Sequence, residues 1–565
     1  MLYFERFIFL CLFCILPSVI SYSFYRLNTF PRWIVLYFVV FCLLVQLCLF
    51  LKKIYLPKLS RPSLFLFFSF LLALVFNLFF HPFSYFSAEG LQRLIFPLLC
   101  LYFYNLFLQK KEKLTAFLLT PTYLATLYFL FVAFYTVFTG KALFPHRSLH
   151  VWSASFINPN MAAEFVGFSI LLQLYNYQKR LDHKKNTFFH FLLLAFSFVV
   201  IYFTLCRSVV IGLSLSLLIF LYTGMSRYLK RLFYLFSFTL MLIISIKIFI
   251  PKAGGFLEFS DSKVSLLKKE SSTNARLKKE GSTNARWALL TSSLKLLKEN
   301  PFGVGFTQFA FSLMPLASKT PGHEFTEDWH HNSPHNSFLL WLVEDGLHVF
   351  FLFSLFLLSF LFKYRSRFKL LLKGGLSSYF LSLAVFIFVS MLFQFPLLLP
   401  VNYVWVALLS GFFLYHFTNK EFIEVKISSS LRLFSFASCL VFFLTASSFI
   451  YSHYHSFRSG HLYLESSLAC KFSKANYRGC LNLIEHHFRT RNLKAVEKII
   501  DAGLSGQPKN FFYKYQLARL RNAQGDIQSE CVELKDYVDI FAGKSKHQKY
   551  YNHHCLNSRR LLSKR

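Results

Sequence analysis

Charged residues are scarce in this sequence, and acidic residues are the scarcer kind. Of 565 residues only 15% are charged, with 26 Asp and Glu against 61 Lys and Arg. Hydrophobic residues make up 55%, with 76 Phe, which gives far more apolar surface than a soluble domain needs to fill its core. The excess must face lipid, so the composition excludes a soluble protein and predicts a membrane protein.

The formal charge of +35 does not indicate a nucleic-acid partner. Lys and Arg lie mostly in short clusters between apolar runs and in the C-terminal tail, a pattern typical of membrane anchoring and topology. No small-residue cleavage site is obvious in the apolar run after Phe7. We therefore expect that run to be a first membrane helix and not a removed signal peptide.

Apolar runs of about 20 residues, the length of a helical span, recur along the whole chain. They predict an all-α polytopic membrane protein with about 12–13 transmembrane helices. The runs lie at 7–23, 33–51, 63–80, 91–108, 114–138, 158–175, 187–205, 207–224, 231–250, 336–362, 376–398, 402–417 and 431–451.

The charges between these runs predict the topology. Every even-numbered connection carries Lys and Arg, so we place those connections and the N-terminus in the cytoplasm. The basic clusters lie at 52–61, 110–113, 179–185, 227–231, 363–373 and 420–432. The expected organisation is an N-terminal bundle of about nine spans (1–250), a large outer loop (251–335), further spans (336–451) and an outward tail (452–565).

The tail carries four cysteines and a helical pattern. Cys470, Cys480, Cys531 and Cys555 can pair as disulfides if the tail faces an oxidising compartment. If one span were miscounted, they would instead be free thiols on a cytoplasmic tail. Apolar residues recur at three- and four-residue steps over 510–526. This pattern predicts a small domain of helical hairpins similar to tetratricopeptide repeats.

The outer loop contains a tandem repeat, LKKESSTNAR (267–276) followed by LKKEGSTNAR (277–286). The duplication is tolerable in an exposed loop, and it leaves two candidate arginines, Arg276 and Arg286. After the repeat, the sequence predicts an amphipathic helix that ends at PFGVG (301–305). Its apolar face is expected to carry Trp287, Leu290, Leu294 and Leu297.

Three residues on the outer face combine into a candidate site: Arg207 in the turn TLCRS, Arg286 at a helix start, and His335 at the mouth of a span. Two fixed cations and one titratable base suggest an anionic substrate, and guanidinium groups suit phosphate oxygens. Plainer interpretations are an interfacial anchor for Arg207, a solvated loop charge for Arg286 and a surface histidine for His335. His330 and His331 add the alternative of a metal cluster.

Four segments, taken in order, resemble the O-antigen ligase/polymerase superfamily of bacteria. They are SFINPNMAAEF (155–165), CRSVVIGL (206–213), the run from Arg286 to PFGVG, and PHNSFLLWLVEDG (334–346). The spacing favours Arg286 over Arg276. Cys206 stands where the family usually has Ser.

The resemblance implies a periplasmic glycosyltransferase in the bacterial inner membrane, working without metal, nucleotide or other cofactor. Its donor would be a glycan on undecaprenyl diphosphate, with Arg207 and Arg286 binding the diphosphate and His335 acting as the base. Asn336, Asn158, Asn160 and Arg93 would be further polar partners of the substrate. The tail and the two longer outer loops, 139–157 and 251–335, would then lie in the periplasm.

The motifs do not separate three possible acceptors: the lipid A core for a ligase, another lipid-linked repeat for a polymerase, and a protein Ser or Thr for an oligosaccharyltransferase. Ligation to the lipid A core ranks first. A different class, a transporter or flippase of lipid-linked sugars, would show repeated halves and charges along a central path. The sequence shows no two-fold repeat, and Arg93 is the nearest thing to a buried charge.

Overall fold

A computed structural model describes most of the chain, and within that part nearly every residue is helical. The described residues are 2–19, 30–49, 53–80, 91–139, 151–156, 158–183, 187–204, 206–222, 234–236, 238–243, 246, 286–305, 308–317, 334–372, 375–393, 400–418, 421–458, 466–467, 470, 477–507, 509–541, 545 and 547–556.

The elements follow one another as α1 (Leu2–Leu10), a π-helical turn (Cys11–Ile15), α2 (Leu16–Ser18), α3 (Phe30–Leu49), β1 (Lys53–Pro57), α4 (Arg61–Phe80), α5 (Leu91–Thr139), a 3-10 turn (Val151–Phe156), α6 (Pro159–Asp182), α7 (Phe188–Thr204), α8 (Arg207–Tyr222), α9 (286–299), α10 (Phe309–Ala317), α11 (Ser337–Lys363), α12 (Leu376–Phe393), α13 (Pro400–Thr418), β2 (Phe422–Lys426), α14 (Ser429–Arg458), α15 (Tyr477–Arg489), α16 (Leu493–Gly506), α17 (Phe511–Ala523), α18 (Ile527–Ile540) and α19 (Gln548–Tyr551).

The apolar helices confirm an all-α polytopic membrane protein. Within the described ranges, five helices are long and apolar enough to cross a bilayer: Lys113–Thr139, Ser337–Lys363, Leu376–Phe393, Pro400–Thr418 and Ser435–Ser452. Shorter apolar helices cover Pro31–Gln46, Arg61–Leu74, Ile95–Lys110, Phe188–Thr204, Arg207–Phe220 and Tyr234–Ile243. The exact number of spans and the boundaries at 250, 335 and 451 stay predictions.

Helix α5 is two apolar helices joined end to end. Lys110 leaves the helical region with φ −141° and ψ 30°, so the chain bends between Ile95–Lys110 and Lys113–Thr139. Lys110 also bonds the carboxylate of Glu5 in α1. The N-terminal helix is thereby tied to the basic connection 110–113.

A small antiparallel sheet, which the sequence did not predict, joins two basic connections. Strands β1 and β2 pair from Lys53 opposite Lys426 to Pro57 opposite Phe422. Lys53 and Glu424 form an ion pair of 2.7 Å across it. Because the strands come from connections assigned to the same side by their charge, the pairing agrees with that assignment.

A third basic connection, after α11, lies at the same end of the molecule. The Tyr364 hydroxyl donates to the carbonyl of Lys58 at 3.2 Å, and Arg367 donates to the carbonyl of Phe417 at 2.6 Å. Asn105 of α5, five residues before Lys110, exchanges hydrogen bonds with the backbone of Tyr55 in β1 at 2.9 and 3.0 Å. Four of the basic clusters therefore meet at one end of the bundle, which we call the basic end. The candidate site residues lie at the starts of α6, α8 and α11, the opposite ends of helices that reach this basic end.

The tail forms helical hairpins held by two disulfides. Helices α15 and α16 pack on α17, and α17 packs on α18. Cys470 bonds Cys480, and Cys531 bonds Cys555, which gives the pairing that the sequence left open. Whether the hairpins are tetratricopeptide-like stays a prediction.

The tail shares a hydrophobic core with the outer loop. Buried side chains from α9, α10 and the start of α11 join those of α17, α18 and α19 in one cluster. The rings of Phe311 and Phe511 lie 5.8 Å apart within it. Cys531 and Cys555 belong to the same cluster, so the tail and the candidate site are on one face of the molecule.

We expect the Cys531–Cys555 disulfide to stabilise this docked tail. Replacing both residues with Ser opens a link between positions 24 apart, which costs about 3 kcal/mol by the entropy of the unfolded loop. Limited proteolysis of the purified protein in oxidising buffer should then cut α18 faster than in the wild type. The control Cys14→Ser alters a free cysteine and should leave the pattern unchanged. Equal cleavage of the double variant and the wild type would contradict the expectation.

Candidate active site

A break in helix α11 organises the candidate site. At Gly346 the backbone leaves the helix with φ 88° and ψ 167°, which frees the carbonyls of the preceding turn from their usual helical partners. All three find others: the amides of Val304 and Gly305 donate to the carbonyls of residues 343 and 344, both at 3.0 Å. The Asn77 amide of α4 donates to the carbonyl of residue 345 at 2.6 Å.

The turn PFGVG is the segment that completes the broken helix. The Leu347 amide donates back to the Pro301 carbonyl at 2.8 Å, so the turn and the break are bonded in both directions. Two glycines allow the backbone of the PFGVG turn to approach the break in α11 closely, and we call this contact the crossing. A Cβ on Gly303 would lie 2.4 Å from the Glu344 carbonyl oxygen, and one on Gly346 would lie 2.4 Å from the Phe302 carbonyl carbon. Irregular backbone inside a membrane bundle persists only where its polar groups are satisfied in this way.

The crossing fixes helix α9, which carries Arg286. The predicted helix is confirmed over 286–299, but the predicted face was partly wrong. Ala288, Leu289 and Leu296 are buried, whereas Trp287 is 66% exposed and Leu294 50% exposed. The difference arises because α9 packs on α10 and the tail, a contact that the spacing of its own residues does not show.

Arg286 itself is exposed and forms no hydrogen bond or ion pair with any residue that the structure describes. Its positive charge affects the pKa of two other residues of the site. Burial first, and then the Arg286 charge, lower the pKa of His335 to about 4. Burial raises the pKa of the Cys206 thiol, and Arg286 acts on it in the opposite direction. Arg276 and the repeat up to 285 lie outside the described residues, as do His330 and His331.

Arg207 follows Cys206 and is the first residue of α8. Its side chain is exposed, and it too has no ion-pair partner within the described part of the chain. The first turn of a helix presents unsatisfied amides and the positive end of the helix dipole. Arg207 therefore adds its charge where an anion is already favoured. The structure brings both predicted arginines and His335 to one end of the bundle.

His335 occupies an unusual backbone position in front of α11. Its φ is 55°, in the region that non-glycine residues rarely adopt. The side chain is partly buried between Pro334, which is buried, and Asn336. With a pKa of about 4 the ring is neutral at pH 7, the form in which imidazole accepts a proton.

Two of the three predicted asparagines cap helices, and the third does not. Asn336 caps α11 by accepting from the Leu339 amide at 2.9 Å and donates to the Leu392 carbonyl at 3.1 Å. Asn158 caps α6 by accepting from the Asn160 amide at 2.9 Å. Asn336 and Asn158 are therefore explained as helix caps. Asn160 is half-exposed in the first turn of α6. Arg93 is in α5, and its side chain lies outside the described residues.

Sequence reasoning missed the buried charges next to the site, and naming Arg93 as the nearest thing to one was wrong. Arg32, at the start of α3, is 1% exposed and donates to the carbonyl of Pro17 at 3.0 Å, with Phe156 4.0 Å below its guanidinium. Glu164 of α6 is 2% exposed and bonds Asn402 of α13. An ionisable residue within a predicted span is the signal that would have found Glu164, which lies in the run 158–175. Arg32 lies one residue before the run predicted at 33–51, so that signal does not reach it.

The structure shows no group of three or more His, Cys, Asp and Glu side chains, among the residues it describes, that could hold a metal ion. The described site residues offer two cations without a described counter-ion, a helix start and a neutral base.

A comparison with protein families now identifies the region. Residues 192–354 match the family model described as O-antigen ligase. This part of the chain is similar to O-antigen ligases. The match contains Arg207, Arg286 and His335 as well as the crossing between PFGVG and the break at Gly346, and it confirms the resemblance to this superfamily. No curated protein sequence matched the chain.

The crossing should not tolerate a side chain. We expect Gly346→Ala to clash with the Phe302 carbonyl carbon and to combine steric overlap with an unfavourable positive φ. The purified variant should unfold at a lower temperature by several degrees and lose glycan transfer. The matched control is Gly375→Ala, where φ is also positive, at 65°, but nothing lies within 4 Å of the added Cβ. A Gly346→Ala protein as stable as Gly375→Ala would show that the crossing is not close.

The pKa of His335 predicts how activity depends on pH. Because the folded value is about 4 and the unfolded value about 6.5, the ring stays neutral down to pH 5. For a transfer limited by that base, kcat/KM should therefore be constant from pH 7.5 to about 5.5 and fall only below about 5, because kcat/KM reports the pKa of the donor-free enzyme. A rate that falls by half near pH 6.5 would mean that the catalytic base is an unperturbed histidine.

Proposed function

We propose that this protein is a glycosyltransferase that moves a glycan from undecaprenyl diphosphate to an acceptor on the periplasmic face of the bacterial inner membrane. The observation that carries the proposal is the pair of arginines without described counter-ions, Arg207 and Arg286, inside the region that matches O-antigen ligases. The charge of one of them reaches His335.

The donor diphosphate fits the two arginines. Guanidinium forks bind phosphate oxygens with two hydrogen bonds each, and negative charge grows on the diphosphate as the sugar–phosphate bond breaks. Fixed cations that stabilise that charge lower the barrier, with about a hundredfold of rate from each well-placed group. The exposed Trp287 and Leu294 of α9 suit contact with the lipid part of the donor at the membrane surface.

His335 is proposed as the base. The acceptor hydroxyl oxygen attacks C1 of the sugar while the bond from C1 to the phosphate oxygen breaks, and the hydroxyl proton passes to the imidazole. The bonding pair leaves with the diphosphate, so a single displacement inverts the configuration at C1. Bound diphosphate offsets the Arg286 charge and so raises the pKa of His335, which makes it a better base when the donor is present.

The charges and the disulfides support an assignment of the site to one side of the membrane. Arg207, Arg286 and His335 lie at the end away from the basic end, which the positive-inside rule assigns to the cytoplasm. The tail holds two disulfides, which suit an oxidising compartment, and one of them, Cys531–Cys555, belongs to the cluster shared with the site helices. Both observations support a periplasmic site.

Ligation to the lipid A core is our first choice of acceptor, and one observation favours a second. The tail hairpins pack directly against α9 and α10, next to the site. A helical-hairpin domain at that position suits a protein acceptor, so O-glycosylation of a protein is the alternative. Polymerisation of lipid-linked repeats shares the same donor site.

Complementation of a deletion strain tests the function. We expect Arg286→Ala, Arg207→Ala and His335→Ala to remove the long-chain lipopolysaccharide ladder while lipid-linked glycan accumulates, because each removes part of the donor site. Lys295→Ala, an exposed cation on the same helix α9, is the matched control and should restore the ladder.

The result also separates the acceptors. An unchanged ladder with altered mobility of an envelope glycoprotein would assign a protein acceptor. If all three substitutions left every glycan unchanged while the proteins were present at normal levels, the donor site would be assigned to the wrong residues.

A further inference from the structure

A cavity lies at the basic end, far from the proposed donor site. It has a volume of about 650 Å³ and is lined by residues of α5, α6 and α7, including Tyr123, Asn176, Arg180, His190 and Phe189. Arg180 lies near the C-terminus of α6, 22 positions beyond the Asn158 cap at the other end, which is roughly 33 Å along a helix. The cavity is therefore separate from the donor site.

The polar wall of the cavity carries groups that can bind an anion. Arg180 lines it, yet forms no ion pair with any carboxylate in the described ranges. The Asn176 amide donates to the Tyr123 hydroxyl at 2.7 Å, which orders two further polar groups beside it. His190 is only 5% exposed, and its Nδ1 has no hydrogen-bond partner among the described residues. An unpaired guanidinium and a buried imidazole nitrogen both need a ligand or water.

The other wall is apolar and its aromatic side chains are exposed. Phe188 is 67% exposed and Phe189 51% exposed, and both line the cavity together with Leu119. They are the first residues of the apolar helix α7, where that helix meets the membrane surface. A ligand held here would place a charged group against Arg180 and an acyl chain against the two phenylalanines.

We propose that this cavity binds the headgroup phosphate of an anionic phospholipid of the cytoplasmic leaflet. Arg180 binds the phosphate, Asn176 and His190 provide hydrogen bonds, and Phe188 and Phe189 contact the acyl chains. A basic pocket between transmembrane helices on the cytoplasmic side is the kind of site that selects such headgroups. A free phosphate would use the arginine but would have no use for the apolar wall.

Binding of short-chain phosphatidylglycerol to the delipidated full-length protein in detergent tests the proposal. We expect Arg180→Gln to raise the Kd by about tenfold, the value of one lost charge-assisted hydrogen-bonded contact. The matched control is Lys179→Gln, which removes the same charge one residue away. Lys179 is exposed and does not line the cavity, so its Kd should equal that of the wild type.

Two further ligands identify the chemistry. Short-chain phosphatidylethanolamine, which carries no net charge, should bind at least several times more weakly than phosphatidylglycerol, and inorganic phosphate should not displace the lipid. Circular dichroism of both variants is the control for folding. Equal affinities of Arg180→Gln and Lys179→Gln, or of the two lipids, would overturn the proposal. Displacement by inorganic phosphate at millimolar concentration would assign the site to free phosphate and overturn the lipid.

Discussion

The break of α11 at Gly346 is the constraint on which the site depends. A helix interrupted inside the membrane leaves carbonyls that lipid cannot satisfy. Here the PFGVG turn and Asn77 of α4 supply the missing donors. Since the turn ends α9 and the break lies in the helix that follows His335, one set of backbone bonds sets both Arg286 and His335 in place.

The same crossing explains how the tail reaches the site. Helix α9 is held on one side by the turn and on the other by the hydrophobic core it shares with α10 and the tail. The outer loop is therefore more than a connection between spans. Its described helices form a platform, and the disulfide-linked hairpins of the tail pack on that platform.

Charge divides the molecule into two ends with different tasks. At the basic end several cations contact carbonyls and carboxylates of other connections, as Lys53 does with Glu424 and Arg367 with the Phe417 carbonyl, and Arg180 is left for the proposed lipid. At the site end Arg207 and Arg286 have no such partners among the described residues. The cations that stabilise the fold bind carboxylates or carbonyls, and those proposed to bind the donor have no described protein partner.

The sequence predicted what depends on local pattern and composition. Apolar runs predicted the helices, positive clusters agreed with the end at which β1 and β2 pair, and motif spacing chose Arg286 and His335. It did not predict what depends on distant contacts: the sheet between β1 and β2, the Glu164–Asn402 bond, the buried Arg32, or the face that α9 buries. Each of these needs a partner from far along the chain, which no local period reveals.

Cryo-electron microscopy of the full-length protein with polyprenyl diphosphate bound tests the central claim most directly. The account predicts diphosphate density within hydrogen-bonding distance of both Arg207 and Arg286, beside His335, with PFGVG bonded to the break at Gly346. Diphosphate density elsewhere, for example at Arg180, or a PFGVG turn separated from α11, would contradict it.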